Sequence, residues 1–419
     1  MPDRTRGAIA RPWRPRHRRP GRSEAGAMTL SVSLANHRLR RTDHAAPRAL
    51  LAAAAAVVLG EQVTAGALPQ PIVPGPASLF GPRGACLAGP EGPLVVADTG
   101  HHRLLVWRRR PAADGTPADL LIGQPDFARE GRNAKGPAGA ATLNVPTGVA
   151  FGAGVLAVAD AWNHRVLLWH GVPDRDNRPA DVVLGQADAA GCLANRGADT
   201  AGAETLNWCY GVAIIDGRLF VADTGNRRVL VFDGIPTRHG QAADLVLGQG
   251  DFTRRDENAG AAAGPAGMRW PHAVAGLCGG LLVADAGNNR VMVWDRLPDR
   301  PGAPCDAVIG QGDMVSVDHN RAAYFPTADS LNMPYGLAVL GETLVVADTA
   351  NSRLLGFPRA GGAAVALAGQ PGFGDKGDNR WGLAARDSLC WPYNIAATGE
   401  TLVVADSGNN RILLWEAAP

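Results

Sequence analysis

The chain has 419 residues, 46% hydrophobic and 5% aromatic, with 53 glycines and 31 prolines, so it can build a sizeable core linked by many tight turns and needs no disulfide staples. Its net charge of +2 hides an asymmetry: residues 1–50 hold twelve arginines, no lysine and three acidic residues (+9), whereas the rest holds 29 basic and 36 acidic residues (−7). A body of negative charge argues against a polyanion-binding surface on the folded part.

The head, residues 1–50, includes RPWRPRHRRPGR at 11–22, rich in Arg and Pro with almost nothing to bury. It is expected to be an unstructured leader, or upstream sequence before a true start at Met28. Residues 51–67 admit two readings. VVLGEQ at 57–62 resembles VVLGQ at 182–186 and falls where a missing final strand would be supplied. The apolar run from Ala49 to Gly60 follows Arg40, Arg41 and Arg48, and Ala65-Gly66-Ala67 has the form of a signal-peptidase site. The closing strand is preferred, because cleavage there would leave LPQPIVPGP to pair, and prolines are poor central strand residues. With it the cytoplasm is favoured over export. The run is too short for a membrane span.

Residues 79–416 repeat one unit six times. Each unit opens with a Pro-X-Gly-like strand: PRGACLA at 82–88, PTGVAF at 146–151, CYGVAI at 209–214, PHAVAG at 271–276, PYGLAV at 334–339 and PYNIAA at 392–397. A thirteen-residue hairpin follows, from VVADTGHHRLLVW at 95–107 to VVADSGNNRILLW at 403–415. Two apolar runs around a polar turn read as buried strands of a hairpin. Then comes LIGQ at 121–124 or its equivalent, and nine residues after each Gln an Asn: Asn133, Asn195, Asn258, Asn320 and Asn379. That fixed offset implies an ordered connector. The repeated aspartates are 62, 63, 62, 63 and 58 residues apart. Four strands per unit, repeated about an axis, predict an all-β fold: a six-bladed β-propeller of four-stranded blades. The sixth unit ends at Trp415 without a fourth strand.

These motifs resemble the NHL repeat, and the long connector with LGQ and Asn is similar to that of bacterial NHL-repeat proteins. The resemblance covers residues 79–416 and implies a six-bladed propeller without implying an activity. Two enzyme types share that architecture. The amidating lyase holds zinc with histidines from different blades. Gluconolactonase-like propellers hold a divalent cation with axial Glu, Asp and Asn side chains. Here the ring of inner-strand starts offers only His272, and Asn394 is the one axial amide. His101, His102 and His164 fall in hairpin turns. No metal site, no cofactor and no catalytic residue is assigned.

The Asp/Arg pairs, such as Asp98/Arg103 and Asp406/Arg411, recur in every unit and are read as turn structure. Function is sought where the repeat breaks. The second residue of the opening motif varies: Arg83, Thr147, Tyr210, His272, Tyr335, Tyr393. So does the residue before the motif: Gly81, Val145, Trp208, Trp270, Met333, Trp391. Arg83, Tyr210, His272, Tyr335 and Tyr393, with Trp208, Trp270 and Trp391, form the candidate ligand site at one mouth of the central channel. The competing reading is that these rings cover the connectors. The six cysteines show no pairing pattern and are read as isolated buried thiols. The function expected is a non-catalytic binding scaffold for a protein or peptide, with a small ligand at the channel as a further option. A hydrolase or lyase of lactonase or amidating-lyase type is the alternative, and nucleic acid is disfavoured.

Overall fold

The computed structural model describes residues 46–60, 72–358 and 361–419. The basic head through position 45 and the Ala65-Gly66-Ala67 triplet fall outside those residues. Among the described residues, six sheets form the blades of one β-propeller. Blade 1 comprises β3 (Gly84–Leu87), β4 (Leu94–Asp98), β5 (Arg103–Trp107) and β6 (Leu120–Ile122). Blade 2 comprises β7 (Pro146–Gly152), β8 (Val155–Asp160), β9 (Arg165–His170) and β10 (Val182–Leu184). Blade 3 has β11 (Cys209–Ile215), β12 (Arg218–Asp223), β13 (Arg228–Phe232) and β14 (Leu245–Leu247). Blade 4 has β15 (Pro271–Leu277), β16 (Gly280–Asp285), β17 (Arg290–Trp294) and β18 (Ala307–Ile309).

Blade 5 is β19 (Pro334–Leu340), β20 (Thr343–Asp348), β21 (Arg353–Phe357) and β22 (Ala366–Ala368), with β1 (Arg48–Ala49) added outside β22. Blade 6 is β23 (Pro392–Thr398), β24 (Thr401–Asp406) and β25 (Arg411–Glu416), and β2 (Val57–Leu59) supplies its fourth strand. The second and third strands of each blade are apolar on both faces because each sheet is sandwiched between two others. Six apolar clusters fill the six gaps between neighbouring blades. One of them joins blade 6 to blade 1 through Leu414, Val403, Leu94 and Leu105, so the disc is a closed ring.

Closure is made by the N-terminal segment. Val57, Val58 and Leu59 pair antiparallel with Leu414, Leu413 and Ile412. Gly60 then takes a φ of 106°, close to the 108° of Gly123 after β6, and a Cβ there would meet the Asn410 carbonyl at 2.5 Å. The VVLG stretch therefore reproduces the end of an ordinary blade. The described fold includes residues 46–50 of the segment expected above to be a leader. Arg48 and Ala49 pair parallel with Ala366 and Leu367. The reason is burial: Leu50, Leu51 and Ala55 fill the gap between blades 5 and 6. Trp415 donates its indole N–H to Ala52 O at 2.8 Å, where Trp107, Trp169 and Trp294 use a carbonyl of their own connectors. One short segment thus staples two blades.

The repeated Asp/Arg pair is a buried junction. In every blade one carboxylate oxygen accepts the backbone N–H two residues before the opening motif, at 2.7–2.8 Å, as Asn207 N–H to Asp223. The other oxygen accepts the Arg Nε–H, as Arg228 to Asp223 at 2.7 Å. The Arg228 Nη groups then donate to Phe252 O after the blade and to Gly202 O and Thr205 O before it. The arginine therefore fastens both flanking connectors to its hairpin. The connector asparagines have a matching role: Asn195 exchanges amide hydrogen bonds with Asn226, as Asn133 does with Asn163. Those loops are scaffold. Arg228→Met should leave Asp223 buried and unpaired and lower unfolding free energy by about 3–5 kcal/mol. Leu51→Ala should cost about 2–5 kcal/mol. Urea denaturation followed by tryptophan fluorescence reads both.

Candidate functional site

The inner strands converge on the axis, and their Pro-X-Gly starts bring the blades together backbone to backbone. A Cβ on Gly84 would lie 1.9 Å from Thr147 O, and one on Gly211 would lie 2.0 Å from His272 O. Five of the six inner strands carry a register shift at this point. Such a bulge re-aims a side chain, and here it turns the variable residue toward the mouth.

The rings then touch in order round the disc. Tyr210 of blade 3 stacks on His272 of blade 4, centroids 5.1 Å apart and planes 18° apart. His272 stacks on Tyr335 of blade 5 at 4.3 Å and 18°. Tyr335 meets Tyr393 of blade 6 at 4.7 Å. The Arg83 guanidinium of blade 1 lies 4.8 Å over the Tyr393 ring. Thr147 of blade 2 breaks the series: it is buried, and its hydroxyl donates to Tyr210 O at 2.9 Å.

Above this floor the rim is set by a second interblade bond. The residue before the motif donates its N–H to the turn of the preceding blade: Gly81 to Asn410, Val145 to His102, Trp208 to His164, Met333 to Asn289 and Trp391 to Ser352, at 2.8–3.3 Å. All five donors have left-handed φ between 48° and 55°. That conformation is disfavoured for non-glycine residues, and here the hydrogen bond holds it. The His102 and His164 rings accept through Nδ1 and must be neutral there. Burial lowers both, that of His164 to about 4. These turn histidines are therefore structural. His101 likewise bonds Asp98, at 2.8 Å.

Blade 4 is the exception. The turn position before it holds Arg227, which cannot accept. Trp270 alone of the six lacks left-handed φ, and its N–H turns to Asp285 at 3.2 Å. Arg227 instead faces the mouth.

One cavity of about 740 Å³ results, and it is lined by Arg83, Tyr210, His272, Tyr335, Tyr393, Trp208, Trp270 and Trp391. All eight residues singled out from sequence are gathered there. The side chains that sequence reading missed are Phe80, Arg227, Thr224, Ser407 and Asn410. Arg227 was visible in principle, as the one basic residue at a turn position otherwise holding His, His, Asn, Ser and Asn. Trp208, Trp270 and Trp391 line the opening and are 49%, 41% and 41% exposed, with Trp208 stacked on His164 and Arg269 over the Trp270 ring. Tyr335 is buried, so its truncation would disturb the floor as well as any ligand contact.

Burial sets the titration of the floor. His272 is lowered to about 4 by burial, with Arg83 adding to the shift. Its Nδ1–H donates to Trp270 O at 3.0 Å. Tyr335 is raised to about 12 and Tyr393 further still, both by burial. The inner strands line a further space of about 260 Å³, mostly with Ala, Val, Ile, Leu and Gly, together with Cys86, Phe151, Asn394 and Thr398. Among the described residues no three His, Cys, Asp or Glu side chains come together as metal ligands. All six cysteines are free; Cys86, Cys209 and Cys305 are buried, but Cys192 and Cys278 are exposed, unlike the buried thiols expected. No described helix is long and apolar enough to cross a membrane.

No protein-family model matches the sequence, and no curated protein is similar to it. Solved propellers align over most of the chain at low identity. The WD40 β-propeller domain of Doa1 is 7% identical, covering 87% of this chain and 96% of its own, with a TM-score of 0.45. A protein of unknown function from Bacteroides thetaiotaomicron is 12% identical over 82% and 70%, TM-score 0.45. A putative gluconolactonase is 14% identical over 85% and 94%, TM-score 0.44.

The depressed His272 has a sign that can be checked. Its folded value lies below the usual 6.5, so the unfolded chain takes up the proton first. Stability contributed by the neutral ring is complete above about pH 6.5 and falls away as pH drops toward 4, by on the order of 3 kcal/mol. Calorimetric melting at pH 7 and pH 4.5 should show a smaller acid-induced drop in Tm for His272→Gln than for the parent.

Proposed function

We propose that this propeller is a non-catalytic binding module built from NHL-type blades, and that its partner, a protein or peptide, inserts a segment into the aromatic mouth. The observation that carries the reading is the concave cluster of half-exposed Trp208, Trp270 and Trp391 above a rigid stacked floor. Large rings held at an opening by interblade hydrogen bonds present contact area that loses little side-chain freedom on binding. A cavity of this size suits one or two bulky side chains or a small ligand. The repeat is broken at these positions and kept at the Asp/Arg junctions beside them, which supports a role other than building the blade.

The titrating groups also favour binding over a hydrolase or lyase. A general base works best with a pKa near the operating pH. Here burial moves His272 down to about 4 and Tyr335 up to about 12, away from neutrality on both sides. The acidic body disfavours a nucleic-acid partner.

Trp208 and Trp391 offer a clean test because both hold left-handed φ. Trp208→Gly and Trp391→Gly relieve that backbone while deleting the rings, so Tm should stay within a few degrees of the parent. Affinity capture with the pure propeller as bait, compared by mass spectrometry, should show the same partner lost from both variants. A large fall in Tm with the partner retained would mean that the rings serve packing alone.

A further inference from the structure

The charges of the mouth narrow what enters it. Among the described residues its lining holds two cations, Arg83 and Arg227, and no Asp or Glu. Other arginines of the disc have carboxylate partners: Arg218 pairs with Asp233 at 3.0 Å and Arg269 with Glu257 at 3.1 Å. Arg83 makes no such pair among the described residues; it lies over the Tyr393 ring and is hydrogen-bonded to that side chain. Arg227 donates only to the carbonyls of Gly225 and Arg255, and its Nε is buried without a hydrogen-bond partner among the described residues. Its presence also removes the acceptor that five other turns offer their neighbours. A cation placed there displaces an interblade hydrogen bond and gains no carboxylate partner among the described residues.

Several donors of the lining are already used. The backbone N–H groups of Gly81, Trp208, Trp270 and Trp391 are already bonded to Asn410, His164, Asp285 and Ser352. His272 spends its Nδ1–H on Trp270 O. The lining then offers an anion the Arg83 guanidinium and the Arg227 Nη2 group, set among the indole rings of Trp208, Trp270 and Trp391 with their N–H groups. Two single cations among flat rings match a carboxylate, which carries one charge, better than a phosphate, which brings more charge and more acceptor oxygens.

We propose that the mouth recognises a carboxylate carried beside a flat apolar group, as at a carboxy-terminal aromatic residue or in a free aromatic acid. This rests on the binding reading above and specifies its ligand. The flat group lies among Trp208, Trp270, Trp391 and Tyr210, and Arg83 and Arg227 hold the carboxylate.

The experiment compares N-acetyltryptophan with its neutral isostere N-acetyltryptophanamide by titration calorimetry. The acid should bind about tenfold more tightly, the effect of one charge-assisted hydrogen bond. Arg83→Gln and Arg227→Asn should bring the acid down to the affinity of the amide and leave the amide unchanged. Arg227→Asn restores the residue type found at 289 and 410, so the variant should fold at least as well as the parent. The peptide Gly-Gly-Gly-Trp with a free carboxy terminus separates the sources: tighter binding than N-acetyltryptophan assigns a peptide end, and equal binding assigns a free acid. Equal affinity for acid and amide would overturn the charge inference while leaving the cavity as a binding site. If neither probe binds but partner capture still depends on Trp208 and Trp391, the carboxylate inference fails alone. If neither probe binds and capture survives both tryptophan variants, the binding reading fails with it.

Discussion

The molecule depends on a charged pair kept out of water. Each repeated Asp has no exposure, and each repeated Arg has almost none. Such a pair gains little as a bare ion pair, because desolvation offsets the attraction. What makes it favourable here is full use of its hydrogen-bonding capacity. One carboxylate oxygen serves the strand that opens the blade, the other serves Arg Nε, and the guanidinium Nη groups reach connectors on both sides. The hairpin, the inner strand and two loops are thereby set by one junction. The inner strand starts at a defined height above the axis, and the mouth inherits that height from every blade.

This explains what could be read from sequence. A junction that every blade needs must recur, so Asp, Arg, Gln and Asn appear at fixed offsets and the blade count follows. The closing strand was legible for the same reason, since VVLG at 57–60 reproduces the end of blade 2. The eight candidate site residues were legible only as departures from the repeat. Their meeting in one cavity follows from ring geometry, because equivalent positions of successive blades are neighbours at the axis.

What was not legible depended on contacts without a repeat. Arg48–Ala49 add to blade 5 through backbone bonds that any residues could make, and the driving term is burial of Leu50 and Leu51 beside them. Nothing in that short run distinguishes a staple from the end of a basic leader. Arg227 was hidden differently. It sits in a turn where residue identity varies, and its meaning appears only with the partner N–H of Trp270 in view. The left-handed backbone at Trp208 and Trp391 was likewise invisible, because a large aromatic residue is a poor candidate for positive φ until its hydrogen bond is known.

The two ends of the channel show how one fold separates structure from recognition. Along its length the inner strands present small aliphatic side chains, which let the six blades approach one another. At one end that constraint relaxes, because a bulge at the start of five of the six inner strands turns a side chain out of the close contact. Only there can a bulky or charged residue be exchanged without parting the blades. The chain has used this freedom unevenly. Blades 3 to 6 contribute the stacked rings, blade 1 contributes a cation, and blade 2 keeps a small residue whose hydroxyl braces its neighbour. The resulting mouth carries rings from four consecutive blades, one cation from blade 1 at Arg83 and another from the blade 3 turn at Arg227.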